Sequence, residues 1–92
     1  MKKILPLIIE LKGSCRGIVT TLVERTERKA LYHRSDGYYE CFVIKVVKEK
    51  AYKDGKWIPT GDTVEKYPKD NDFGAWAWCD REKKIRERYE AM

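Results

Sequence analysis

The sequence predicts an α+β fold: an antiparallel sheet of about four or five strands with one C-terminal helix packed across a face. Three observations lead there. Branched and aromatic residues fall in short runs separated by turn residues. "SDG" and "KDGK" each sit between two such runs, as hairpin closures do. The closing "DREKKIRERYEAM" carries an apolar stripe at helical spacing. Ninety-two residues hold one core, so residues 1–92 read as a single domain.

The opening "MKKILPLIIELKG" resembles a secretory leader, but Glu10 interrupts its apolar run after Ile9 and no small-x-small cleavage site follows. It is too short to span a bilayer and reads as structure. "LPLIIEL" suits a strand that Pro6 confines to an edge or a strand start; a short helix is the alternative. "KGSCRG" is turn chemistry, "IVTTLVE" a strand, and "RTERK" a charged bend or a charged stretch of edge strand.

"KALYHR" and "YYECFVIKVVKEK" flank Ser35-Asp36-Gly37, a three-residue hairpin closure. That register sets His33 against Tyr39 and Leu31 against Cys41. Along the second strand Phe42, Ile44 and Val46 share one face, and Tyr39, Cys41, Val43 and Val47 the other, so the strand lies inside the sheet. Asp54-Gly55 suits a type I′ turn that brings Tyr52 opposite Trp57, with Lys53 and Lys56 at an exposed mouth. Pro59 is expected to stop this strand, leaving residues 60–72 as a long polar loop. Asp80 is the expected N-cap of the helix, with Ile85, Tyr89 and Met92 as its stripe and Glu82–Arg86 pairing across a turn. The expected core is Ile18, Leu22, Leu31, Cys41, Val43, Ile44, Val46, Ile85 and Tyr89, with one or both of Trp76 and Trp78.

"FGAWAWCD" leaves two readings open. As a strand it points Trp76 and Trp78 the same way and Ala75, Ala77 and Cys79 the other. Either the indoles cover the core beneath the helix, or the helix takes the Ala/Cys side and leaves a paired-indole platform on which nucleobases could stack. The core reading is preferred.

Net charge is +5, and by thirds of the chain it falls as +5 over residues 1–35, −1 over 36–72 and +1 over 73–92. A basic patch of that size steers toward nucleic acid or other polyanions; the bland alternative is a solvated basic surface. Cys15, Cys41 and Cys79 are odd in number and far apart, and His33 is the single histidine, which excludes a disulfide framework or a zinc site and points to reduced cysteines in the cytoplasm. "DFG" at 72–74 matches the kinase metal-binding triplet, but no glycine loop or catalytic loop accompanies it. "DND" at 70–72 lacks calcium-loop spacing. His33 and Cys41 have no orienting acid, and "KGSCRG" lacks the spacing of a phosphate loop, so no catalytic site, cofactor or metal is expected.

"ERTERKALYHR", "YYECFVIKV" and "EKYPKDNDFGAWAWC" followed by a charged helix resemble small reading frames of phages and bacterial mobile elements over residues 24–90. The resemblance implies a cytosolic accessory protein and brings no activity or site with it.

Two functions fit. One is a non-enzymatic protein that binds nucleic acid through Arg25, Arg28, Lys29 and Arg34 with exposed aromatics Tyr32, Tyr38 and Trp57. The other is a protein-interaction module, with an edge strand or the 60–72 loop pairing two copies or another protein. Neither involves a membrane.

Overall fold

The computed structural model describes residues 2–92. Two sheets form. The larger is antiparallel with spatial order β2 (Ile8–Glu10), β3 (Val19–Arg25), β4 (Lys29–Arg34), β5 (Tyr39–Val43) and β8 (Ala77–Asp80). The smaller has order β1 (Lys2–Lys3), β7 (Lys56–Lys66) and β6 (Lys45–Lys53), with β1 parallel to β7. One helix, α1 (Glu82–Ala91), packs on the larger sheet. The α+β expectation holds, and the second sheet is an addition to it.

Local chemistry explains the hairpins. Gly37 takes φ 95 in the β4–β5 turn, where a side chain would be strained. His33 then faces Tyr39 and Leu31 faces Cys41, as the turn predicts. In the bend between β3 and β4 the Thr26 hydroxyl accepts the backbone N–H of both Arg28 and Lys29, which replaces ladder bonds the turn cannot make. The helix starts one residue later than expected. Arg81 holds the N-cap position while Asp80 ends β8, its carboxylate accepting the Arg81 N–H.

The alternation of β4 and β5 divides the core in two. Leu31 and Cys41 face α1 and meet Ile85 and Tyr89, with Tyr39 and Trp78 at the edges. Ala30, Tyr32, Phe42 and Ala77 face the other way, beneath Leu5 and the segment carrying Tyr67 and Phe73. Tyr32, expected at the surface, is fully buried, its ring stacked 5.7 Å from Phe42 and its hydroxyl donating to the Pro6 carbonyl. Val43 and Val46, expected in the core, are exposed, and Ile18 and Leu22 are half-buried. The reason is at Ile44. There the chain leaves one sheet for the other: the Ile44 amide still bonds to the Arg28 carbonyl in the β4–β5 register, and from Lys45 onward the strand pairs with β7 instead.

The tryptophans do not share a face. Gly74, at φ 95, turns the chain so that β8 begins only at Ala77. Trp78 then lies under α1 with the Arg88 guanidinium 4.5 Å from its ring. Trp76, before the strand, packs edge-on against Phe42 on the opposite side. Both belong to core edges, and no paired platform forms.

Residues 60–72 are only in part a loop. β7 runs through Pro59 to Lys66, and a short 3-10 turn covers Asp70–Asp72. Proline is tolerated because β1 pairs β7 at Thr63 and Val64, and among the described residues that side of Pro59 has no neighbour needing its missing N–H.

Burial orders the thiols. Cys41 is sealed beneath α1 and burial pushes its pKa up to about 11, whereas Cys15 is half-buried and Cys79 exposed. A maleimide is expected to label Cys15 and Cys79 in the native protein, and Cys41 only in denaturant. Mass spectrometry of the labelled chain checks the order.

Candidate nucleic-acid interface

Asp54 and Gly55 adopt φ 51 and 76, the paired positive values of a type I′ turn, and close β6 and β7 into a ribbon. Tyr52 and Trp57 face each other across it, with ring centroids 5.3 Å apart at 66°. They are 64% and 66% exposed, and every residue from 51 to 60 is exposed. Among the described residues that stretch of the ribbon packs on no other element, and the molecule measures 47 × 28 × 23 Å. An isolated two-stranded ribbon is marginal in water, so the base must be anchored.

The anchor is Glu65. Its buried carboxylate takes two hydrogen bonds from Arg25 on β3, at 2.5 and 2.8 Å, and the backbone N–H of Leu5 at 2.9 Å. Lys2 stands 3.5 Å from the same group. These contacts tie the five-stranded sheet, the N-terminal segment and the ribbon together. The Arg25 guanidinium holds the Glu65 carboxyl down to about 2, the Leu5 amide adding to it. Nearer the tip the ladder slips: Thr60, Gly61 and Asp62 bulge opposite Glu49, and the Thr60 hydroxyl bonds to Glu49. Lys3 pairs with the Glu49 carboxylate at 2.5 Å.

Folding redistributes the charge that linear sequence assigned to the first third. Residues 2–3 and 45–66 hold eight lysines against four acids, net +4, while the remaining chain holds twelve cations against eleven acids, net +1. The excess therefore sits on the smaller sheet. Lys50, Lys53 and Lys56 flank the aromatic pair and make no ion pair among the described residues.

The residues expected to bind do not converge. Arg25 is committed to Glu65. Lys29 donates to the carbonyl of Tyr89 at 2.6 Å, near the C-terminus of α1, where a cation is favoured. Arg34 is held by both oxygens of Asp36 and lies 3.8 Å from Glu40, its side chain 13% exposed. Arg28 is exposed at the β3–β4 bend. Tyr38 is at the surface between the guanidinium groups of Arg34 and Arg81. Of the seven, Tyr32 is buried on β4 and Trp57 alone lies on the ribbon. Lys50, Lys53, Lys56 and Tyr52 were within reach of sequence reasoning, since the Asp54-Gly55 turn already set them around Trp57.

A second cluster, around Glu40, gave no motif. Its carboxylate is 2% exposed and accepts hydrogen bonds from the hydroxyls of Tyr67 and Thr20. Burial pushes the pKa of Glu40 up, against the opposing pull of Tyr67 and Arg34. The signal was its position two residues before Phe42, which puts a carboxylate on a core face.

No protein-family model matches the chain, and neither does any curated protein or solved structure. No helix among the described residues is long and apolar enough to cross a membrane.

Proposed function

We propose that the chain is a non-catalytic nucleic-acid-binding protein that engages duplex through the β6–β7 ribbon. The observation that carries this is the placement of +4 of the net charge on the smaller sheet, Lys2 and Lys3 included, whose ribbon projects and is tipped by two exposed aromatic rings. A two-stranded ribbon has the width that a major groove admits. Residues 45–66 contain no Arg, Asn or Gln, so phosphate contact dominates and sequence preference is low. Reduced cysteines suit a cytoplasmic setting. Edge pairing between proteins is the less favoured reading, because the β6 edge carries four lysines, which oppose strand addition.

Trp57 emission tests the reading. Duplex oligonucleotide is expected to quench the wild-type protein and to leave Trp57→Phe nearly unchanged. Salt is expected to reverse the quenching with a log–log slope of about −3, for roughly three neutralised phosphates. Equal quenching in both proteins, or insensitivity to salt, would sink it.

A further inference from the structure

On the sheet face opposite α1 a cavity of about 630 Å³ is bounded by Ile9, Leu11, Pro68 and Phe73, with Tyr67, Glu40 and Arg34 also lining it. That volume is in the range of small-molecule sites, which are mostly apolar with a few convergent polar groups. Glu10, Lys12, Lys69 and Asp70 also border the cavity, and within its polar lining the Glu40–Arg34 pair is held in place. Glu40 Oε1 accepts from Tyr67 and Thr20, and Arg34 is fixed by Asp36 through Nε at 3.1 Å and Nη2 at 2.7 Å. Arg34 Nη1 lies 3.4 Å from the Cys79 sulfur.

Glu40 Oε2 and Arg34 Nη1 stand 3.8 Å apart, too far for a hydrogen bond to each other. One is an acceptor and the other retains a donor hydrogen, and they stand side by side. The Arg34 charge stands beside Oε2 without a hydrogen bond between them, so a ligand donor placed there adds a charge-assisted bond. An edge that offers N–H beside C=O satisfies both atoms at once. Amide and carbonyl are adjacent in that way on a planar lactam ring, and the aromatic and aliphatic walls suit such a ring.

We propose that this cavity binds a small planar lactam of the uracil or guanine type, its ring N–H donating to Glu40 Oε2 and its carbonyl accepting from Arg34 Nη1. The site is separate from the ribbon and does not depend on it. The same edge is present on a free nucleoside and on an unpaired base within a strand.

Calorimetric titration and amide chemical shifts of the ¹⁵N-labelled full chain test this with uridine, guanosine, 3-methyluridine, adenosine and a short oligouridine. Uridine or guanosine is expected to bind and to shift Arg34, Glu40, Tyr67 and Cys79. 3-Methyluridine, with its N–H blocked, and adenosine, which has no lactam, are expected to bind at least about tenfold more weakly. Glu40→Gln, which puts an amide into the acceptor position, is expected to lose uridine by a similar factor while retaining its circular dichroism. Should that variant fail to fold, the methylated nucleoside makes the same test on the wild-type protein. Binding by the nucleosides identifies a free ligand, and pocket shifts with oligouridine alone identify a base within a strand; both support the site. Equal binding of uridine and 3-methyluridine, or no pocket shift with any probe up to about 10 mM, overturns it.

Discussion

Arg25→Ala is expected to destabilise the protein by about 3–5 kcal/mol, because it leaves the Glu65 carboxylate buried without its bidentate partner. At this chain length the melting temperature should fall by more than about 12 °C. Arg25→Ala/Glu65→Gln should lose less than Arg25→Ala alone, since the uncompensated charge is gone; thermal melts of the three proteins check the order. The pair also predicts an acid limb. Glu65 has its pKa lowered from 4.5 to about 2 in the fold, so its contribution is complete above the ordinary carboxylate range and is lost as pH falls toward 2. That contribution is on the order of 3 kcal/mol. Glu40 acts with the opposite sign: its folded pKa is raised, so its protonation on acidification favours the fold and softens the loss. In Arg25→Ala the acid limb should flatten. Reversing Arg25 is therefore a poor probe of nucleic-acid binding, because it removes the anchor of the ribbon before it removes a phosphate contact.

The second large effect concerns binding. Lys50→Glu/Lys53→Glu/Lys56→Glu changes the smaller sheet from net +4 to −2 at positions exposed to solvent. Duplex affinity at about 100 mM salt is expected to fall at least 100-fold and the salt slope to collapse, as measured by fluorescence anisotropy. Stability should change little, each exposed substitution being within about 0.5 kcal/mol. Arg28→Glu, on the opposite sheet, should weaken binding less than about threefold. If Arg28→Glu abolished binding while the triple variant retained it, the interface would belong to the β3–β4 bend.

Sequence and structure agree where the determinants are local. Both hairpin registers follow from Gly37 and from Asp54-Gly55, and the helix stripe from Ile85 and Tyr89, because a turn or a helical period constrains only its neighbours. The disagreements share one source. Ile44 passes the chain from one sheet to the other, and no local pattern marks such a transfer. Val43 and Val46 are exposed as a result. The charge of the first third is likewise dispersed, since Lys2 and Lys3 join the ribbon while Arg25, Lys29 and Arg34 turn inward to Glu65, the helix end and Asp36. The pair of indoles was separated by a turn at Gly74 that reads, in sequence, as part of a strand. The Glu40 cluster draws on β3, β5 and the chain at Tyr67, so its members are adjacent only after folding.

The ribbon is tested most directly by amide chemical shifts of the ¹⁵N-labelled wild-type protein titrated with a duplex oligonucleotide at low salt. Shifts concentrated between Lys48 and Thr60, and reversed by salt, are the expected result. Shifts centred on Arg28, Arg34 and Tyr38 with the ribbon unmoved, or no shift at all, would contradict it.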